Sequence, residues 1–231
     1  MSYKSNHDQT HNLDITCFIH QAALDPHLNL DSLNQICDAC IHYNFSGLCT
    51  TLNKLLPAKK RLGKHNQTKL IAVIAFPFGD IPFAIKKQEA EWAAEHGAEE
   101  IDVVPNFLNL YEGAIEHFAE ELSEISSIGL PSRVILDTMK LPKEKLSLAI
   151  EACIDAGAQG IQTGNGFGFA ANQTHVRELA SLIKNRCAIK AAGGIQSLDQ
   201  ALELINAGAD SIGTSYGVEI TKEGKNHIQQ T

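Results

Sequence analysis

The stretch Ala93-Ala94-Glu95-His96-Gly97-Ala98-Glu99-Glu100-Ile101-Asp102 returns twice further along the chain. It recurs as Cys153-Ile154-Asp155-Ala156-Gly157-Ala158-Gln159-Gly160-Ile161-Gln162 and as Leu204-Ile205-Asn206-Ala207-Gly208-Ala209-Asp210-Ser211-Ile212-Gly213. Each copy reads as the end of a helix, a glycine stop and the start of a short buried strand. Glycine suits the stop because the residue after the last helical turn commonly takes positive φ, which a side chain disfavours. The β-branched isoleucine that follows suits a strand.

Outward from these copies, apolar runs predict eight strands, at 15–18, 47–50, 70–76, 100–104, 133–137, 160–163, 188–191 and 211–214. Amphipathic stretches at 30–43, 81–96, 114–128, 143–156, 173–184 and 198–207 separate nearly all of them. Strands joined by helices pair in parallel through right-handed crossovers. Eight such units in 231 residues predict a single-domain α/β protein, a closed (β/α)8 TIM barrel spanning 13–220. An open doubly wound sheet is the weaker reading, because no GxGxxG opens the first helix. The polar segment 1–12 reads as a flexible tail, and 221–231 as a polar C-terminal tail.

Composition bounds the function. Nineteen Lys and Arg against 27 Asp and Glu leave a net charge of −8, which argues against nucleic acid or an anionic membrane surface as partner. The most apolar run, 70–78, is too short to span a bilayer and contains Pro77. Six scattered cysteines fit a reducing cytoplasm better than a disulfide framework. Cys37-Asp-Ala-Cys40 falls on the apolar stripe of a helix and reads as buried thiols. HExxH is absent, and the lone HxxxH, His7 to His11, lies in the predicted tail, so neither a metal nor another cofactor is expected. Composition leaves a homo-oligomer open.

The repeat also sets which residues face inward. If Ile101, Ile161 and Ile212 face the helices, then Asp102, Gln162 and Gly213 face the barrel interior. A carboxylate there needs a cation, because burying an isolated charge is expensive. Lys190 on the seventh strand is the expected partner. After it, Gly193-Gly194-Ile195-Gln196-Ser197 combines paired glycines with a capping box to Gln200. Loops after strands seven and eight commonly cradle phosphate in such barrels, so Gly193, Gly194, Gly213 and Ser215 are candidate phosphate contacts. Gly164-Asn165-Gly166-Phe167-Gly168 adds a third loop on the same face.

Several stretches together, in order and spacing, resemble the deoxyribose-phosphate aldolases, a (β/α)8 family of class I aldolases. They are Leu13-Asp14-Ile15-Thr16, Gly47-Leu48-Cys49-Thr50, Val73-Ile74-Ala75-Phe76-Pro77-Phe78-Gly79, Glu100-Ile101-Asp102-Val103-Val104, Val134-Ile135-Leu136-Asp137-Thr138 and Ile189-Lys190-Ala191-Ala192-Gly193-Gly194-Ile195. The resemblance implies reversible cleavage of 2-deoxyribose 5-phosphate to glyceraldehyde 3-phosphate and acetaldehyde through a lysine imine, without metal. It implies Asp102 as proton shuttle and Lys190 as the second lysine. It implies Gly166, Gly193, Gly194 and Ser215 at the phosphate, with Asp14, Thr16, Cys49 and Arg133 as secondary residues. Where that family carries its imine lysine, in a Lys-Thr-Ser-Thr-Gly pattern, this chain reads Gln162-Thr163-Gly164-Asn165-Gly166. An amide nitrogen, conjugated with its carbonyl, cannot form the imine. Further departures are Ile19-His20, Arg133, Tyr216 and a C-terminus without tyrosine.

The expectation is therefore an aldolase-like protein that binds a small phosphorylated sugar or aldehyde, with imine activity weak or lost. The alternatives are a non-catalytic phosphosugar-binding or regulatory scaffold, and a non-imine acid/base enzyme of isomerase type using Asp102 and Lys190.

Overall fold

The computed structural model of the chain describes residues 13–64 and 66–229; the predicted N-terminal tail and its histidine pair lie outside the described residues. Eight parallel strands close into a barrel in sequence order. They are β1 (Ile19–Ala23), β2 (Gly47–Thr50), β3 (Lys69–Ile74), β4 (Glu100–Val103), β5 (Ser132–Ile135), β6 (Gly160–Gln162), β7 (Ala188–Ala192) and β8 (Ser211–Thr214). Around them run α1 (Leu30–Tyr43), α2 (Leu52–Leu62), α3 (Phe83–Glu95), a short α4 (Phe107–Tyr111), α5 (Ile115–Ser126), α6 (Lys143–Asp155), α7 (Gln173–Ile183), α8 (Leu198–Asn206) and α9 (Gly217–Gln229). β8 pairs with β1 through Ile212 opposite Ile19 and Gly213 opposite His20. Among the described residues no helix is long and apolar enough to cross a membrane.

Two layers of burial follow from strand alternation. Outward-facing Ile19, Leu48, Ile74, Ile101, Val134, Ile161, Ile189 and Ile212 form the apolar core with the inner helix faces, such as Leu33, Leu55, Ala93, Leu122, Ile150 and Leu204. The inward layer is instead polar and small, with buried Glu100, Asp102, Gln162 and Lys190 beside Cys49 and Gly213. Cys37 and Cys40 are both fully buried on α1.

Three boundaries differ from the sequence reading. Residues Ile15–Phe18 form a 3-10 turn and not the first strand, because Asp14 caps it: its Oδ1 accepts from Thr16 N at 3.1 Å and from Thr16 Oγ1 at 2.7 Å. The strand begins at Ile19. A second helix, α2, was hidden by Pro57 inside it, yet Leu55, Ala58 and Leu62 bury one face at helical spacing. Tertiary burial outweighs the cost of about 3 kcal/mol that an interior proline carries. The barrel also does not end at 220. Helix α9 continues to Gln229, with Ile220 and Thr221 buried and Thr221 Oγ1 donating to the Gly217 carbonyl oxygen at 2.7 Å.

Candidate active site

The strands deliver their inward side chains to a cavity of about 470 Å³ at the C-terminal mouth of the barrel, the face on which such barrels carry their sites. Its floor is formed by His20, Cys49, Asp102, Gln162 and Lys190, and its wall by Phe76, Ala192, Gly193, Gly194, Gly213, Ser215 and Tyr216. Predicted inward register therefore brings Asp102, Gln162, Gly213 and Lys190 into one cavity.

Asp102 and Lys190 form the expected pair. Both are buried, at 0% and 2% exposure, with Nζ donating to Oδ2 at 2.5 Å. Cys49 Sγ lies 3.2 Å from the same oxygen and 3.1 Å from Nζ. Asp102 Oδ1 accepts from Arg133 Nε at 2.8 Å, Arg133 Nη2 reaches Glu100 at 2.6 Å, and Glu100 accepts from Lys69 at 2.5 Å. Five charges thus alternate in sign down the barrel axis, from the mouth to half-exposed Lys69.

This string decides the protonation states. Burial opposes ionisation of Asp102, but the cations of Arg133 and Lys190 outweigh it and hold the carboxyl well below the usual carboxylate range. Burial likewise disfavours the Lys190 ammonium, yet the Asp102 carboxylate outweighs it, and the pKa of Lys190 is raised. Lys190 is therefore an ammonium at neutral pH. Burial pushes the Cys49 thiol up to about 12, so it is uncharged. His20, buried beside the cations of Lys190 and Arg133, is held well below the ordinary imidazole value and is neutral.

Gln162 sits next to Lys190 across the β6–β7 ladder. Its Nε2 donates to the Gly164 carbonyl oxygen at 2.7 Å, while its Oε1 is buried without a donor. His20 Nδ1 is also buried and unpartnered. The loop after β6 is fastened across the mouth by Asn165, whose Nδ2 donates to the Pro77 carbonyl oxygen at 2.9 Å and whose Oδ1 accepts from Phe167 N at 2.9 Å. Gly193 and Gly194 both take positive φ, 116° and 67°. A Cβ on Gly213 would stand 3.0 Å from Lys190 Cε, so glycine there leaves the lysine stem its place.

Asp14 and Thr16 are not at the site. They belong to the cap below β1, so strand one reaches the cavity through His20 and Ala22 instead. Sequence reasoning also missed Gln21, which ties the end of β8 in place: its Nε2 donates to the Ser215 carbonyl oxygen at 3.0 Å and its Oε1 accepts from Gly217 N at 3.1 Å. No local pattern marked it, because β1 is buried along nearly its whole length and shows no alternation.

A closed (β/α)8 barrel with a buried Asp–Lys pair beneath a glycine-lined mouth is the arrangement that the resemblance to class I aldolases implied. No family model matches the chain, but individual relatives do. A deoxyribose-phosphate aldolase of Trichormus variabilis is 37% identical over 217 residues, covering 93% of this chain and 95% of that protein. One of Cyanothece sp. is 36% identical over 211 residues, covering 91% and 92%. Among solved structures, an aldolase called QR15 superposes with a TM-score of 0.90 at 33% identity, covering 95% of this chain and all of that one. The tetrameric deoxyribose phosphate aldolase of Aeropyrum pernix gives 0.82 at 30% identity and covers 91% of each. The chain belongs to the deoxyribose-phosphate aldolase family.

Proposed function

We propose that this protein binds a small phosphorylated sugar or aldehyde of the 2-deoxyribose 5-phosphate type at the barrel mouth, and that imine-based cleavage of it is weak or lost. One observation carries the reading. Among the described residues Lys190 is the single lysine lining the cavity, and Asp102 holds it as an ammonium at 2.5 Å. An ammonium has no lone pair with which to attack a carbonyl. At the position where the resemblance implies the imine lysine stands Gln162, whose amide cannot take that role.

The binding half of the reading rests on Gly166, Gly193, Gly194, Gly213 and Ser215, which lie together at the cavity. They offer backbone approach to an anion without competing side chains. The isomerase alternative is less well served, because Asp102 is too weak a base in its ion pair to take a carbon-bound proton. Six cysteines scattered over a chain large enough to fold without staples support a reducing compartment such as the cytoplasm.

The test is borohydride trapping with 2-deoxyribose 5-phosphate, read by intact and peptide mass, beside calorimetric titration of the same compound. Saturable binding with no adduct on Lys190 is expected. An adduct that disappears in Lys190→Ala, together with release of acetaldehyde, would overturn the loss of chemistry.

A further inference from the structure

The strands β7 and β8 leave their shared ladder at Ala192 opposite Gly213. Beyond it their loops run along the cavity mouth, through Gly193-Gly194-Ile195 and through Ser215-Tyr216. Gly193 and Gly194 take positive φ, 116° and 67°, a freedom that leaves such a loop loose on its own. Thr214 ties it to its neighbour. The buried hydroxyl donates to the Ile195 carbonyl oxygen at 2.7 Å and accepts from Tyr216 N at 2.9 Å, so a single oxygen sets the spacing of the two loops. Gln21 holds the second loop from the other side. The β1–β8 ladder ends at Gln21 opposite Thr214, and the Gln21 amide carries the pairing a step further, donating to the Ser215 carbonyl oxygen at 3.0 Å and accepting from Gly217 N at 3.1 Å. His20 and Ala22 on either side of it line the cavity and Gln21 does not, so the Ser215 carbonyl is drawn behind the loop. A Cβ on Gly217 would stand 2.4 Å from Gln21 Oε1, and glycine there leaves the amide its place.

We infer that Thr214 is a positioning residue for the anion: its hydroxyl fixes the β7 and β8 loops at the separation at which their backbone converges on a phosphate, while Gln21 keeps the Ser215 carbonyl away from that charge. This inference rests on the reading of the mouth as a phosphosugar site. The one proton of the Thr214 hydroxyl is committed to Ile195, so it has none to donate to the anion and acts through the loops. Loops free to separate would have to be ordered at each binding event, at a cost in affinity. A carbonyl oxygen turned towards the anion would repel it.

The experiment titrates the full chain calorimetrically with 2-deoxyribose 5-phosphate, as native protein, Thr214→Val and Thr214→Ser, and records the Tm of each. Valine keeps the shape and removes the hydroxyl, whereas serine keeps the hydroxyl. Measured well below Tm, Thr214→Val is expected to bind about tenfold more weakly than native, and Thr214→Ser within about threefold of it. A tie that served the fold alone would lower the Tm of Thr214→Val and leave its affinity where it was; that result overturns the inference and leaves the phosphosugar reading standing. Affinity lost equally in Thr214→Ser also overturns it, because the hydroxyl is then not what positions the loops. No binding by the native protein removes the phosphosugar reading and the inference together. Should Thr214→Val not fold, Gln21→Met frees the same loop from behind, with the same tenfold loss expected and unchanged affinity as the refutation.

Discussion

Replacing Asp102 by asparagine tests the electrostatics on which the functional reading stands. The substitution keeps the shape but removes the charge from a fully buried carboxylate that accepts from Lys190 at 2.5 Å, Arg133 at 2.8 Å and Cys49 at 3.2 Å. Breaking a buried pair from one side leaves the other ion uncompensated and costs about 3–5 kcal/mol. In a protein of this size that corresponds to a fall in Tm of roughly 6–20 °C. The pH dependence has a definite sign. Asp102 titrates lower in the folded chain than its unfolded value of about 3.9, so its contribution is fully present above that value. It is lost as pH falls through the folded pKa. The gap between native and Asp102→Asn in urea denaturation should therefore stay constant from pH 7 to about pH 5 and narrow below about pH 4. A second readout follows from Lys190. Without the carboxylate, burial and Arg133 both act against its ammonium, so its pKa falls. Reductive trapping with acetaldehyde at pH 7 should then label Lys190 in the variant and not in the native protein. A variant within about 1 kcal/mol of native, or a gap that is the same at pH 3 and pH 7, would refute the buried ion pair.

Gln162→Lys places a second amine beside the Lys190 ammonium across the β6–β7 ladder, where the like charge lowers its pKa and favours a nucleophile. A trappable imine on residue 162 and measurable release of acetaldehyde from 2-deoxyribose 5-phosphate are expected; no gain would mean that the Asn165 loop and Tyr216 exclude the reacting pose. Gly194→Ala forces a side chain into φ 67° with its Cβ 3.0 Å from Ala170 Cβ, which should cost about 1–3 kcal/mol in denaturant titration and weaken 2-deoxyribose 5-phosphate binding in calorimetry. Away from the site, Lys86→Met strands Glu121, its buried partner at 2.5 Å between α3 and α5, and should cost about 3–5 kcal/mol. Lys86→Met/Glu121→Gln should recover most of that loss, because glutamine still offers an acceptor to Asn106 N, 3.2 Å from Glu121 Oε1.

The barrel was legible because its repeat is a physical unit: a helix end, a left-handed glycine and a strand start. Gly97, Gly157 and Gly208 all take the positive φ that the repeat required, from 85° to 112°. The inward register of Asp102, Gln162, Gly213 and Lys190 followed from strand alternation alone. The first strand was misplaced because Leu13-Asp14-Ile15-Thr16 carries both a strand-like apolar alternation and a capping aspartate. Local capping won, since Thr16 N and Oγ1 both bond Asp14. Helix α9 was missed, its second half being read as a polar tail, because much of it is polar; burial of Ile220 and Thr221 became visible only once β1 and β8 were in place. The string from Asp102 through Arg133 and Glu100 to Lys69 was partly hidden as well. It joins β3, β4 and β5 at different depths, and no local pattern reports depth.

On the proposed reading, in which the mouth binds a phosphosugar without an imine nucleophile, that string supplies the charge for binding. Lys69, Arg133 and Lys190 face two carboxylates, Glu100 and Asp102, so the axis carries one surplus positive charge. His20 and Cys49 are neutral and Gln162 adds nothing. The cation nearest the mouth is Lys190, enclosed by low-dielectric walls where its field is strong. In a chain with a net charge of −8, this surplus is the local charge that the proposed reading requires for a phosphate. A lysine at position 162 would raise the surplus to two and relieve it by losing a proton, which creates a nucleophile. Glutamine there leaves the surplus at one, with every charge of the string in contact with an opposite one. The ion string needs no residue at 162 to keep each charge in contact with an opposite one, so on the proposed reading glutamine at this position removes the imine nucleophile without disturbing the ion pairs of the barrel interior.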